Sequence, residues 1–132
     1  MGVILDSSVL IAILLDEPEA DAFIQTVETV PCSLSTFTLF EASTVLLGRS
    51  GSDLVAKLDQ LIARAKVEVV AYDREHAELS RTAYQRFGKG YHPAALNLGD
   101  CVSYALAKSL DAPLLFKGGD FALTDIRSAI GA

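Results

Sequence analysis

Val3-Ile4-Leu5-Asp6-Ser7-Ser8 decides how the rest of this chain is read. Three apolar residues, two of them β-branched, form a short buried strand. A single carboxylate ends it. Ser7 and Ser8 are helix-capping residue types, and the apolar residues 9–15 read as the helix they open. A strand that turns into a helix at its C-terminal end is the repeating unit of parallel α/β sheets.

The same grammar recurs outward from this start. Asp16 or Glu17 caps a second helix, with Pro18 at its first position, running to about Glu28. Cys32-Ser33-Leu34 is a second strand. Ser35 or Thr36 then caps a helix from about Phe37 to Leu47, which Gly48 ends. Leu54, Val55, Leu58, Leu61, Ile62 and Ala65 fall on one face of a further helix. Residues 67–71 form a third strand, and Asp73 caps a helix ending near Phe87. After a loop containing Gly90 and Pro93, a helix spans about Gly99 to Leu110 and residues 113–116 form a fourth strand. Residues 125–127 read as a last, short strand. The pattern predicts a three-layer α/β/α sandwich around a parallel sheet of four to five strands.

Bulk properties narrow the class. A chain of 132 residues, 51% hydrophobic and 21% charged, fits one globular domain. Its net charge of −6 argues against nucleic-acid partners, which basic patches normally serve. An acidic cluster that binds metal changes that reading, because it is locally neutral once loaded. Cys32 and Cys101 fit neither a disulfide scaffold nor a zinc pattern. Residues 9–15 are too short to span a bilayer, no Lys or Arg precedes them, and Asp6 stands where a myristoylation motif needs Ser or Thr. The chain therefore reads as cytoplasmic, with no membrane association.

Of the 17 acidic residues, most are ordinary surface or helix-dipole acids. Four are not. Asp6 follows the first strand. Glu41 interrupts the apolar stretch Leu39-Phe40-Glu41-Ala42. Asp100 opens an apolar helix, and Asp120 follows the fourth strand and two glycines. An acid within apolar sequence is costly unless it is paired or bound to metal. In a parallel sheet, strand C-termini and helix N-termini share one edge, which brings all four to the rim where such folds place their sites. Taken singly, Asp6 is also a plausible cap, Asp100 a first-turn acid and Asp120 a turn residue. Glu41 is the hardest to explain that way.

Clustered carboxylates raise one another's pKa, and a divalent cation relieves the repulsion. Oxygen-only ligands select Mg²⁺ or Mn²⁺ over zinc. Such a site polarises a phosphoryl oxygen and activates water, and two metals about 4 Å apart stabilise both the entering and leaving oxygens. That is nuclease chemistry, with Asp6 and Asp100 as direct ligands and Glu41 and Asp120 either completing the shell or positioning metal-bound water.

Quoted in order, Val3-Ile4-Leu5-Asp6-Ser7-Ser8, Leu15-Asp16-Glu17-Pro18-Glu19, Thr38-Leu39-Phe40-Glu41-Ala42, Asn97-Leu98-Gly99-Asp100-Cys101 and 114–121 resemble the PIN domain of VapC toxins, ribonucleases of type II toxin–antitoxin pairs. The resemblance covers nearly the whole chain and implies a single PIN domain over residues 1–132. It further implies a Mg²⁺- or Mn²⁺-dependent endoribonuclease acting on RNA, a homodimer, and a cognate VapB-like antitoxin that blocks the site. It carries Asp6 and Asp100 over as metal ligands and Glu41 as the third acid. Asp120 competes with Asp125 for the fourth place, and Ser7 and Asn97 are supporting hydrogen-bond partners.

RNA must still approach an acidic protein. Arg49, Arg81, Arg86, Lys89 and Lys117 are the basic residues within reach of the rim, with Lys117 and Lys89 the foremost candidates for phosphate contacts. His76 and His92 read as non-catalytic. The rival readings are phosphatase or DNA-nuclease chemistry on the same acids, a receiver-type signalling domain, and a non-catalytic interaction module. Receivers pair two acids after strand one, where this chain has Asp6 alone.

Overall fold

The computed structural model describes residues 2–129. Four strands, β1 (Val3–Leu5), β2 (Cys32–Ser35), β3 (Glu68–Val70) and β4 (Leu114–Leu115), form a wholly parallel sheet in the order β3-β2-β1-β4. Six helices connect and cover them: α1 (Ser7–Leu14), α2 (Ala20–Thr29), α3 (Thr36–Ser50), α4 (Ser52–Arg64), α5 (Arg74–Phe87) and α6 (Leu98–Ser109). The expected fifth strand is reduced to one parallel bridge, Leu114 to Ser128, flanked by the bond from the Leu114 amide to the Arg127 carbonyl.

Side-chain alternation along β1 makes the three layers. Val3 and Leu5 point into a core shared with α1, α2, α3 and α4, through Leu10, Phe23, Leu46 and Leu58. Ile4 points the other way, into a core built with α5 and α6 through Ala83, Tyr104 and Leu106. The central strand is thus buried on both faces, as parallel sheets require.

Two boundaries and one burial differ from the sequence expectation. The second helix starts at Ala20, and Pro18 lies before it. Asp16 adopts a left-handed conformation (φ 54°), so the chain turns sharply before α2 can begin. The third helix continues through Gly48 to Ser50 and stops at Gly51, whose φ of 67° suits a residue without a Cβ. Phe40, expected inside, is 67% exposed, because it follows Leu39 around to the outer face of α3. Among the described residues no helix is long and apolar enough to cross a membrane.

The expected capping chemistry is present on α5, where the Asp73 carboxylate accepts from the His76 amide at 3.0 Å. Asp73→Ala is expected to cost about 1 kcal/mol, seen as a lower urea midpoint with an unchanged slope.

Candidate functional site

Asp6 anchors the site. It is only 3% exposed, directly beyond β1, and its amide is tied to the Leu115 carbonyl of β4 at 3.1 Å. Its Oδ2 caps α1 by accepting from the Ser8 amide (3.1 Å), and its Oδ1 accepts from the Ser103 hydroxyl of α6 (2.6 Å). Asp6 is therefore both a cap and a carboxylate fixed from two elements. Sequence reasoning missed Ser103. The available signal was its place three residues after Asp100, on nearly the same helical face.

Glu41 lies in the second turn of α3, not the first as expected. The Ser7 hydroxyl reaches it by a hydrogen bond. Its Oε1 is buried with no hydrogen-bond partner. Gly99 lies against it so closely that a Cβ there would overlap the carboxylate, so a glycine at the head of α6 is what admits Glu41. Burial raises the Glu41 pKa, the Ser7 bond opposes this, and the Asp6 charge adds to the rise.

Asp100 is the third residue of α6 and forms a reciprocal cap with Asn97. The Asn97 side-chain oxygen accepts from the Asp100 amide (2.9 Å), and the Asp100 carboxylate accepts from the Asn97 amide (3.0 Å). Asn97 thus fixes the Asp100 rotamer. Burial pushes the Asp100 carboxyl up to about 6. The Asn97 amide opposes this, and the charges of Asp6, Asp120 and Glu41 add to it. All four acids singled out from sequence therefore stand close enough to act on a common member.

Asp120 is exposed, at the start of a 3-10 turn (Asp120–Leu123) that follows Gly118 and Gly119. Asp125 is engaged elsewhere, with Tyr104 Oη at 2.6 Å, Lys108 Nζ at 3.0 Å and Arg86 at 3.7 Å. Its burial acts to raise its pKa, but the Tyr104 and Lys108 hydrogen bonds and the two positive charges outweigh that and hold it below its ordinary value. The charge of Asp120, and not that of Asp125, is among those that act on Asp100.

The basic candidates separate likewise. Lys117 pairs with Glu17 Oε1 (2.8 Å) and Glu19 Oε1 (3.5 Å), and its amide donates to the Ser8 hydroxyl. It ties the turn before α2 to the loop that carries Asp120, so Glu17 and Glu19 are more than helix-dipole acids. Arg86 is held by Asp125. Lys89 is exposed in the loop before α6. His92 accepts from the Ala94 amide through Nδ1, and His76 is buried beside the Tyr72 ring.

Among the described residues, no three His, Cys, Asp or Glu groups converge as a ready-made cage for an ion. The donor set still fits a hard cation that keeps most of its waters and takes one or two carboxylates. The orphaned Glu41 Oε1 and the elevated Asp100 are the two places where a positive charge would lower the energy.

The family model of the PIN domain matches residues 3–126. The chain belongs to the PIN-domain family. "Ribonuclease VapC" of Mycolicibacterium smegmatis is 46% identical over 124 residues, covering 93% of this chain and 96% of that relative. The family's fold is seen again in the crystal structure of Mycobacterium tuberculosis VapC20, a Sarcin-Ricin loop cleaving toxin (TM-score 0.77, 16% identity, 94% of this chain and 95% of that one). A toxin–antitoxin complex from Klebsiella pneumoniae shares it too (TM-score 0.64, 22% identity, covering 91% and 90%). Membership in this family, and the single acid after β1, leave the receiver-type reading without support.

The elevated Asp100 makes a stability prediction. Its folded-state pKa of about 6 lies above the ordinary 3.8. Its contribution to stability is therefore present below about pH 4 and lost as pH rises through 6. Asp100→Asn should raise the Tm of the metal-free protein at pH 7.5, and this advantage should vanish near pH 4.

Proposed function

We propose that this chain is a VapC-type toxin, an endoribonuclease that hydrolyses RNA phosphodiester bonds with Mg²⁺ or Mn²⁺ held by Asp6 and Asp100 and completed by Glu41 and Asp120. One observation carries it: the charges of Asp6, Glu41 and Asp120 all act on a half-buried Asp100, while a buried Glu41 oxygen has no hydrogen-bond partner among the described residues. The kinship with VapC ribonucleases supports the substrate class. When bound, the cation polarises the phosphoryl oxygen and acidifies attacking water.

The chain's own residues prepare that chemistry. Ser8 and Ser103 hold Asp6 in one orientation before any ligand arrives. Asn97 does the same for Asp100, so little side-chain freedom is lost on binding. Asp100 must be ionised to serve as a ligand, so metal affinity should fall as pH drops through about 6. Asp120, exposed on its short turn, is placed to meet groups entering from solvent.

The test is cleavage of total cellular RNA by antitoxin-free protein, with and without Mg²⁺ or Mn²⁺. Cutting should need the metal and disappear in Asp6→Ala and Asp100→Ala. Ser103→Ala, which only unfastens Asp6, should lower activity or metal affinity roughly 10- to 100-fold. Cutting that survives both aspartate substitutions would refute the assignment.

A cognate antitoxin is the second part of the reading, supported by the toxin–antitoxin complex that shares the fold. Between α1, α2 and α4 lies a groove of about 300 Å³, lined by Ile13, Leu14, Ile24 and Leu61 and edged by Lys57 and Arg64. Apolar walls with a basic edge suit an amphipathic helix bearing acids along one side. Lys57→Glu should weaken antitoxin binding several-fold at low salt and leave RNA cleavage unchanged. Equal affinity for both proteins at low salt would place the antitoxin elsewhere.

A further inference from the structure

Three of the four site acids are held by direct hydrogen bonds: Asp6 by Ser8 and Ser103, Glu41 by Ser7, and Asp100 by Asn97. Asp120 is not. Its exposed side chain forms no hydrogen bond or ion pair among the described residues. Lys117 is tied down just ahead of it, through Ser8 and Glu17, but Gly118 and Gly119 intervene. Gly118 has a left-handed backbone (φ 97°), and neither glycine has a neighbour within 4 Å of where a Cβ would stand. Two such permissive residues transmit little constraint. What places Asp120 lies after it in the chain.

The segment beyond Asp120 is fastened at two points. Phe121, 3% exposed, enters the core built with α5 and α6, its ring 5.0 Å from that of Phe116. Asp125 then closes on α6. Its Oδ1 accepts from the Tyr104 hydroxyl at 2.6 Å, and its Oδ2 meets Lys108 Nζ at 3.0 Å and Arg86 at 3.7 Å. Tyr104 is buried, so its hydroxyl needs an acceptor, and Asp125 supplies it. Between the two points Thr124 braces the turn. Its hydroxyl donates to the Phe121 carbonyl at 2.7 Å and accepts from the Ile126 amide at 3.2 Å.

Spacing on α6 connects this anchor to the site. Asp100, Tyr104 and Lys108 stand four residues apart in turn, which makes them one stripe along the helix. Asp125 holds the Tyr104 and Lys108 part of that stripe. The charge of Asp120 acts on Asp100, one turn before Tyr104 and about 6 Å along the axis. Both ends of the segment 120–125 thus relate to one stripe of one helix.

We propose that Asp125 is the positioning residue of Asp120: its closure on Tyr104 and Lys108 sets where the segment 120–125 lies along α6, and so holds Asp120 near Asp100 for the cation. This role rests on the metal-site reading above. The ion pairs of Asp125 are partly exposed, with side chains 37% to 54% accessible, so they contribute little to global stability. Their effect is on where one carboxylate stands.

The test titrates Mn²⁺ into the metal-free full chain. Wild type is compared with Tyr104→Phe, Asp125→Ala, Asp120→Asn and the two double variants that add Asp120→Asn, each first shown to keep the wild-type circular dichroism spectrum. Tyr104→Phe removes a hydroxyl and no charge, so its effect is not electrostatic. Mn²⁺ should bind roughly tenfold more weakly to Tyr104→Phe and to Asp125→Ala. Little or none of that loss should remain in the Asp120→Asn background, because Asp125 acts through Asp120. Amides of residues 118–124 should also exchange faster in both single variants, with Tm little changed. Wild-type affinity and exchange in both single variants would overturn the proposal and leave the metal site standing. Losses that persist in full alongside Asp120→Asn would overturn it too, since Asp125 would then act on the site without Asp120. Wild-type protein that binds no Mn²⁺ would overturn the metal-site reading, and this role with it.

Discussion

Negative charge on Asp100 is disfavoured first by burial and then by the charges of Asp6, Asp120 and Glu41, and the local structure meets that cost residue by residue. Asp6 is nearly sealed from water yet accepts two hydrogen bonds, which stabilise its charge. Asp100 receives one amide bond, and its pKa is still pushed to about 6. Glu41 keeps a buried oxygen with no hydrogen-bond partner among the described residues. A fold that only needed caps at these helix starts would not leave a buried carboxylate oxygen unsatisfied. The residual unfavourable charge is the property that a divalent cation relieves.

The supports come from elements far apart in sequence but adjacent in the sheet. β1 lies between β2 and β4, so the loops that leave these strands converge. The Ser103 hydroxyl reaches Asp6 from α6, Ser7 reaches Glu41 from α1, and Gly99 leaves the space that the Glu41 side chain occupies. A parallel sheet puts these groups together without long loops, because every strand delivers its C-terminal end to the same edge.

The positive charges are distributed with similar economy. Six basic side chains are tied to acids, including Lys117, which joins the start of α2 to the loop bearing Asp120. That pairing lies at the surface, where one ion pair contributes little to stability. Its consequence is geometric, since it limits where the Asp120 loop can go. Arg81 on α5 and Lys89 just beyond it form no ion pair among the described residues, so a chain that is acidic in sum still carries unpaired positive charge on that side.

Much of this was legible in the sequence by itself. Short apolar strands alternating with helices specified the parallel α/β fold, because strand and helix periodicities are local properties. Strand ends and helix starts then placed Asp6, Glu41, Asp100 and Asp120 on one edge, since topology follows from element order. The cap at Asp73 follows from residue type at a helix start, whereas the cap at Asn97, two residues before the expected start near Gly99, came from the structure. Only the tertiary structure decided the rest. Ser103 meets Asp6 across 97 residues, Lys117 meets Glu17 across 100, and Asp125 turns to Tyr104 and Lys108 while the charge of Asp120 acts on Asp100. The late start of α2 and the outward Phe40 belong with these. Such outcomes depend on where each side chain points once helices have packed, and periodicity along a chain carries no information about distances across it.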